Sequence, residues 1–132
     1  MKDVQETRTD ALGNVVINIE VSTTDDTETD LWSEEIDEGE IWDIDARIVG
    51  VAEDDAEAGS YDLRGTVSRA AGGTAAAVGD AVIEQRETDA DWSVGLDVDT
   101  NDVNIVVEGK AATNIDWRGT IRIRKQEIAA SV

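Results

Sequence analysis

The sequence predicts an all-β fold, an antiparallel β-sandwich or jelly roll of about seven to eight short strands. Apolar and polar residues alternate in segment after segment, which is the period of a strand with one buried face. Runs rich in Asp, Asn, Gly and Ser separate these segments, and no segment keeps the apolar period of an amphipathic helix. The 132 residues suffice for one core, so we predict a single domain at 12–132 after a short arm at 1–11.

The predicted arm differs from the rest of the chain because it is polar and charged and has no apolar period. We expect residues 1–11 to form a flexible arm or a docking peptide. The stretch lacks the apolar centre of a signal peptide, and no apolar run in the sequence approaches the ~20 residues of a membrane span. The sequence therefore predicts a soluble chain with no membrane partner.

The first half of the domain contains alternating segments separated by acidic loops. Residues 12–21 predict the first strand, and residues 22–30 predict an acidic loop. The stretch around Leu31 and Ile36 is expected to be an edge strand or a partly ordered excursion. Two stronger strands follow, joined by an acidic turn at 53–59. Their inward positions are Trp42, Ile44, Ala46, Ile48, Gly50, Tyr61, Leu63, Gly65 and Val67.

The second half begins with an alanine-rich stretch at 75–86. Gly79 interrupts it and no helical period survives, so we predict a strand with a bulge there. A hairpin around a turn at 99–102 follows, and a last strand ends the domain. The inward positions of these later strands are Trp92, Val94, Leu96, Val98, Val103, Ile105, Val107, Ile115, Trp117, Gly119, Ile121 and Ile123.

The composition is strongly acidic. Asp and Glu number 31 against 11 Lys and Arg, which gives a formal charge of -20 in a chain that is 40% hydrophobic. The resulting self-repulsion reaches ~10 Å at 0.1 M salt but only ~3 Å at 1 M. We interpret this as adaptation of a folded protein to a hypersaline, haloarchaeal medium. The same charge argues against nucleic acid as a partner, because phosphate binding needs a basic stripe.

The side chains that most often perform catalysis are missing from the sequence. It contains no His and no Cys, which removes the commonest general base, the thiol nucleophile and the thiolate metal site. No pair of carboxylates stands in an apolar setting that would raise one pKa, and no Gly-rich loop leads into a helix to hold phosphate. We therefore predict a non-enzymatic protein with no cofactor.

One segment has the oxygen ligands of a calcium loop. Asp97, Asp99 and Asn101 alternate, and Glu108 falls at the twelfth position counted from Asp97. The sixth position is Asp102, where a calcium loop needs glycine, and strand-like residues replace the flanking helices. A hairpin turn rich in Asp and Asn is the favoured interpretation, and we predict no metal site.

The tryptophans raise the possibility of a sugar platform, since carbohydrate-binding sandwiches expose aromatic rings. Trp42, Trp92 and Trp117 each share a face with aliphatic residues, so we assign them to the core. Trp32 is expected to be exposed or to lie at an interface. A basic cluster on the last strand is the other candidate for contact with a partner. The candidate interface residues are Trp32, Arg118, Arg122 and Arg124.

The packing and turn positions between residues 40 and 124 form an ordered series. The segments are Ile41–Gly50 (IWDIDARIVG), Gly59–Gly65 (GSYDLRG), the break at Ala71–Thr74 (AGGT), Trp92–Val94 (WSV), Val106–Gly109 (VVEG) and Asn114–Arg118 (NIDWR). In this order they resemble a small β-sandwich domain of tailed-virus structural proteins, found at the ends of tail fibres and in head fibres or head decorations.

The resemblance implies a homotrimer that decorates a virion. The sequence has no extended repetitive shaft, which favours a capsid-surface turret or decoration over a tail fibre. We therefore expect a virion structural protein of a haloarchaeal tailed virus, located on the capsid surface in brine. Its partners would be its own copies and other capsid or virion proteins. Two alternatives stay open, a tail-fibre or receptor-binding tip domain and a carbohydrate- or calcium-binding β-sandwich.

Overall fold

The computed structural model describes residues 4–53, 57–88 and 91–128, which form ten strands and no helix. The predicted all-β fold is confirmed. Within these ranges there is no helix that could cross a membrane. The strands are β1 (Val4–Thr9), β2 (Val15–Thr23), β3 (Thr29–Glu35), β4 (Glu40–Ala52), β5 (Ala58–Arg69), β6 (Ala76–Ala77), β7 (Val82–Glu87), β8 (Ser93–Asp99), β9 (Asp102–Glu108) and β10 (Ile115–Glu127).

Two antiparallel sheets form the sandwich. The large sheet has the order β1-β2-β10-β4-β5, and both β6 and β7 pair with the far side of β5. The small sheet has the order β3-β9-β8. It covers one face of the large sheet, with β3 nearest β2 and β8 nearest β5. The two longest strands, β4 and β10, pair along their whole lengths at the middle of the large sheet.

The core lies between the sheets and consists of the inward side chains of both. Trp42, Trp92 and Trp117 are fully buried, as the alternation predicts. Trp117 is at the centre, with its ring centroid 5.6 Å from that of Trp92 and 6.1 Å from that of Tyr61. Its ring lies against the backbone of β4 at Gly50, where a Cβ atom would come within 2.8 Å of it. The Trp117 ring on β10 therefore fits only because the neighbouring residue on β4 has no side chain.

Strand β3 contains a bulge between Asp30 and Trp32. The extra residue turns two successive side chains inward, so Leu31 and Trp32 are both buried. The expectation that Trp32 is exposed is therefore wrong, because only 4% of it is exposed. Its ring lies 6.5 Å from that of Trp42 inside the core.

The N-terminal arm predicted at 1–11 contains a strand, which corrects the expectation of a flexible segment. Residues 4–9 pair antiparallel with residues 15–20 of β2. The side chains of 5–9 are exposed, so backbone hydrogen bonds hold this edge strand and no apolar period marks it. Residues 1–3 lie outside the described residues.

The alanine-rich stretch at 75–86 also differs from its prediction of one bulged strand. It forms two strands, β6 and β7, that pair with different parts of β5. Gly79 has a φ of 72° in the connection between them. This left-handed conformation breaks the strand, and glycine adopts it without steric cost.

Candidate docking face

The outer face of the large sheet is a continuous charged surface, which we call the mosaic face. It consists of the outward side chains of β1, β2, β10, β4, β5 and β7. The strand register places these side chains on the side opposite the core. Its arginines are Arg8, Arg47, Arg64, Arg86, Arg118, Arg122 and Arg124, and its acidic residues are Glu6, Glu20, Asp43, Asp45, Asp62, Glu84 and Asp116.

Opposite charges alternate across the strands of the mosaic face. Arg122 on β10 lies opposite Asp45 on β4, which in turn lies opposite Arg64 on β5. In the next row Arg47 lies opposite Asp62, with Arg47 Nε 3.5 Å from Asp62 Oδ1. Directly opposed charges of unlike sign favour this pairing of strands.

Further ion pairs extend the pattern to both ends of the sheet. Arg124 Nη1 lies 3.2 Å from Asp43 Oδ2, and Arg118 contacts Glu20. The arginines of both pairs are about three-quarters exposed. Water and salt screen such pairs, so each contributes little to stability in the isolated chain.

The mosaic face has no net charge, because its arginines and its acidic residues are equal in number. The formal charge of the chain is nonetheless -20. The rest of the molecule therefore accounts for the whole excess of carboxylates. The few basic residues of the chain are concentrated on one side of one sheet.

The outer face of the small sheet has the opposite character, and we call it the acidic face. Its outward positions on β3, β8 and β9 include no Lys or Arg. Asp99 and Asp102 are direct neighbours across the β8–β9 pair. The charged residues of the acidic face are Asp30, Glu35, Asp97, Asp99, Asp102 and Glu108.

The mosaic face also contains two depressions and some exposed apolar side chains. Asp45, Arg47, Thr120 and Arg122 line a depression of about 380 Å³ at its centre. A second depression, of about 300 Å³, shares two of these residues and extends to Val82 on β7. Val82 is 61% exposed. The exposed side chains of Val49 and Val51 form a small apolar patch beside Arg118.

The structure places the predicted interface residues in two different environments. Arg118, Arg122 and Arg124 are all exposed on the mosaic face, whereas Trp32 is in the core. Sequence reasoning missed the arginines that join them from other strands. Strand order determines that grouping, and alternation predicts only that Arg47 and Arg64 point outward. The missed arginines are Arg8, Arg47, Arg64 and Arg86.

The residues with calcium-loop spacing do not converge. The predicted hairpin is confirmed, with β8 and β9 joined at residues 100–101. Glu108 lies opposite Ser93 at the far end of this hairpin from Asp99. Asn101 uses its Oδ1 to accept a hydrogen bond from the backbone N–H of Ala75, at 3.1 Å. Across the described ranges, no group of three or more carboxylates could hold a metal ion.

The comparison with solved structures found a similarity to the tailspike protein of Acinetobacter baumannii phage AM24. The TM-score is 0.46 and the sequence identity is 8%. The match covers 89% of this chain and 27% of the tailspike chain, so this chain spans about a quarter of that protein's length. No family model matches the sequence, and no curated protein matches it.

Proposed function

We propose that this chain is a non-enzymatic structural module of a tailed-virus particle, which assembles with other protein through its mosaic face. The observation that supports this most is the segregation of charge between the two outer faces of the sandwich. The mosaic face has equal numbers of positive and negative side chains, whereas every charged side chain of the acidic face is a carboxylate.

Each face suits a different environment. Carboxylates hydrate strongly and keep surfaces apart, so the acidic face is suited to contact with salt water. On the mosaic face, Arg47 and Arg86 both reach Asp62, at 3.5 and 3.6 Å. Charges that already have partners lose less when a second protein displaces water from them, because they keep an opposite charge nearby. The mosaic face is therefore the side of the molecule suited to burial.

Within this role, we propose a decoration or turret on the capsid surface of a virus of halophilic archaea. The support is the resemblance of residues 40–124 to the small sandwich domain of virion structural proteins. The acidity of the chain adds to it, since -20 is suited to molar salt. The acidic face would then point into the brine around the particle.

Purified particles test this proposal. Antibodies against the chain, imaged by electron microscopy on particles kept in molar salt, are expected to label the capsid evenly. Label confined to the tail would overturn the capsid assignment and favour the receptor-binding alternative. Absence of the chain from particles, checked by mass spectrometry of the same preparation, would sink the virion role altogether.

A further inference from the structure

We infer that the mosaic face is a two-fold contact, on which a second copy of this chain docks face to face. The inference rests on the proposed function only in taking this face as an assembly surface.

Net charge limits where two copies can touch. Each chain has a formal charge of -20, so most orientations bring carboxylates against carboxylates. Two acidic faces would place Asp99 and Asp102 of one copy against an equally negative surface of the other. The mosaic face has no net charge, so it is the side on which copies can approach with the least repulsion.

A two-fold contact also requires that a surface complement itself. In such a contact the same patch is used by both copies, so each positive group must find a negative group within that patch. The mosaic face meets this condition because arginines and carboxylates alternate along its rows, as in Arg122, Asp45 and Arg64. A trimer would instead set this face against a different surface of the next copy, and the remaining surface of the chain is acidic. The charge pattern therefore favours a pair of chains over the threefold assembly that the sequence resemblance implies.

The size of the face fits a stable contact. With strands ~4.8 Å apart and ~3.3 Å per residue, the area from β1 to β7 and from Asp116 to Arg124 measures roughly 24 by 26 Å. That is on the order of 630 Å² in projection, close to the ~800 Å² per partner of a standard protein interface. Val49, Val51 and Val82 supply apolar area within it, since they are 47%, 48% and 61% exposed.

Reversing charges in two complementary sets tests the contact directly. Arg47→Glu with Arg122→Glu makes the face negative, and Asp45→Arg with Asp62→Arg makes it positive. We expect the wild-type chain to have twice its 14.2 kDa mass by sedimentation equilibrium in about 1 M salt, where repulsion between whole chains is screened within ~3 Å. Each double variant alone is expected to associate at least tenfold more weakly, and an equimolar mixture of the two is expected to restore the pair. Native mass spectrometry identifies the restored species as one copy of each variant.

Controls away from the face separate local contact from overall charge. Asp97→Arg with Asp99→Arg on the acidic face makes the same change in net charge as the positive variant and should leave the pair intact. Lys110→Glu adds negative charge away from the face, with half the change in net charge of the negative variant, and should also leave the pair intact. Far-UV circular dichroism verifies folding. If a double variant loses its sheet signal, Arg64→Glu replaces the negative one and Asp45→Arg alone replaces the positive one.

The outcomes are distinct. A wild-type mass of one chain or of three chains overturns the two-fold contact and leaves the virion role to be judged by particle labelling. Variants that pair as tightly as the wild type, or a mixture that does not recover, also overturn it. Recovery only on mixing supports it, because a loss of folding or a change in net charge cannot produce that result.

Discussion

The indole Nε1 of Trp117 donates a hydrogen bond to Thr23 Oγ1, 2.9 Å away, inside the core. Thr23 is one of few buried polar residues in the described part of the chain. The bond links β10 to β2 and satisfies an indole N–H that has no access to water.

Replacing the acceptor should therefore destabilise the fold. Thr23→Val keeps the side-chain shape but leaves the Trp117 N–H buried without its partner. We expect the free energy of unfolding to fall by about 1–3 kcal/mol, measured by urea denaturation in molar salt. The matched control is Thr120→Val, since Thr120 bonds Asn18 at the exposed surface. It should change the free energy by less than about 0.5 kcal/mol, and equal losses in the two variants would contradict the argument.

A second prediction compares two buried tryptophans. The Nε1 atom of Trp92 is buried, and among the described residues no hydrogen-bond acceptor reaches it. Trp92→Phe removes this costly group, whereas Trp117→Phe removes a satisfied one. Both substitutions leave a cavity of similar size. We therefore expect Trp92→Phe to lower the free energy of unfolding by about 1 kcal/mol less than Trp117→Phe does, measured in the same urea titrations. A larger loss for Trp92→Phe than for Trp117→Phe is incompatible with this account.

The third prediction concerns the like charges of the acidic face. Asp99 and Asp102 are directly opposed across the β8–β9 pair, where unlike or neutral residues would be favoured. Asp99→Asn should raise the free energy of unfolding by about 0.5 kcal/mol at low salt. The gain should vanish near 1 M salt, where screening acts within ~3 Å.

The control for this variant is on the other face. Asp43→Asn removes the same charge but takes away the partner of Arg124, so no gain is expected at low salt. Thermal unfolding of both variants at two salt concentrations decides the point. An equal gain in the two would show that only net charge matters and not the position of the carboxylate.

The fourth prediction concerns acid. Asp10 Oδ1 accepts hydrogen bonds from the backbone N–H of Leu12 at 2.8 Å and of Asn14 at 3.0 Å. These bonds, the one from Leu12 foremost, lower the pKa of Asp10 below its ordinary 3.8. The folded state therefore gains from the ionised carboxylate above pH 3.8, and this gain is lost as the pH falls through the lower folded pKa.

Carboxyl resonances measured by NMR during an acid titration check this expectation. The Asp10 signal should move at a pH below 3.8. In Asp10→Asn the contribution of this carboxyl to the pH dependence of stability should be absent. A midpoint at or above the ordinary value would contradict the role of the two backbone bonds.

Local pattern predicted most of the core. The inward residues of β4, from Trp42 to Gly50, follow from alternation alone, because a strand between core and water must expose every second side chain. The β8–β9 hairpin was predicted because a short turn joins two alternating segments. Trp117 was assigned to the core by its aliphatic neighbours on β10, and it is buried.

The mistaken and missing predictions depend on contacts between distant segments. The bulge in β3 changes which side Trp32 faces, and it depends on pairing with β9. The strand β1 is stabilised by the edge of β2, which its own residues do not reveal. The mosaic face depends on β10 lying between β2 and β4. Neither that order nor the register that sets Arg122 beside Asp45 can be read from alternation.

Gly50 and Gly119, on the two central strands of the large sheet, are positions where a side chain would collide with the core. A methyl group at Gly50 would meet the Trp117 ring at 2.8 Å, and one at Gly119 would meet Leu31 Cδ2 at 3.1 Å. Both positions belong to the longest strands, β4 and β10. At these inward positions of the two strands, even one added methyl group needs its neighbours to move. Sequences descended from this chain should therefore keep glycine at both positions.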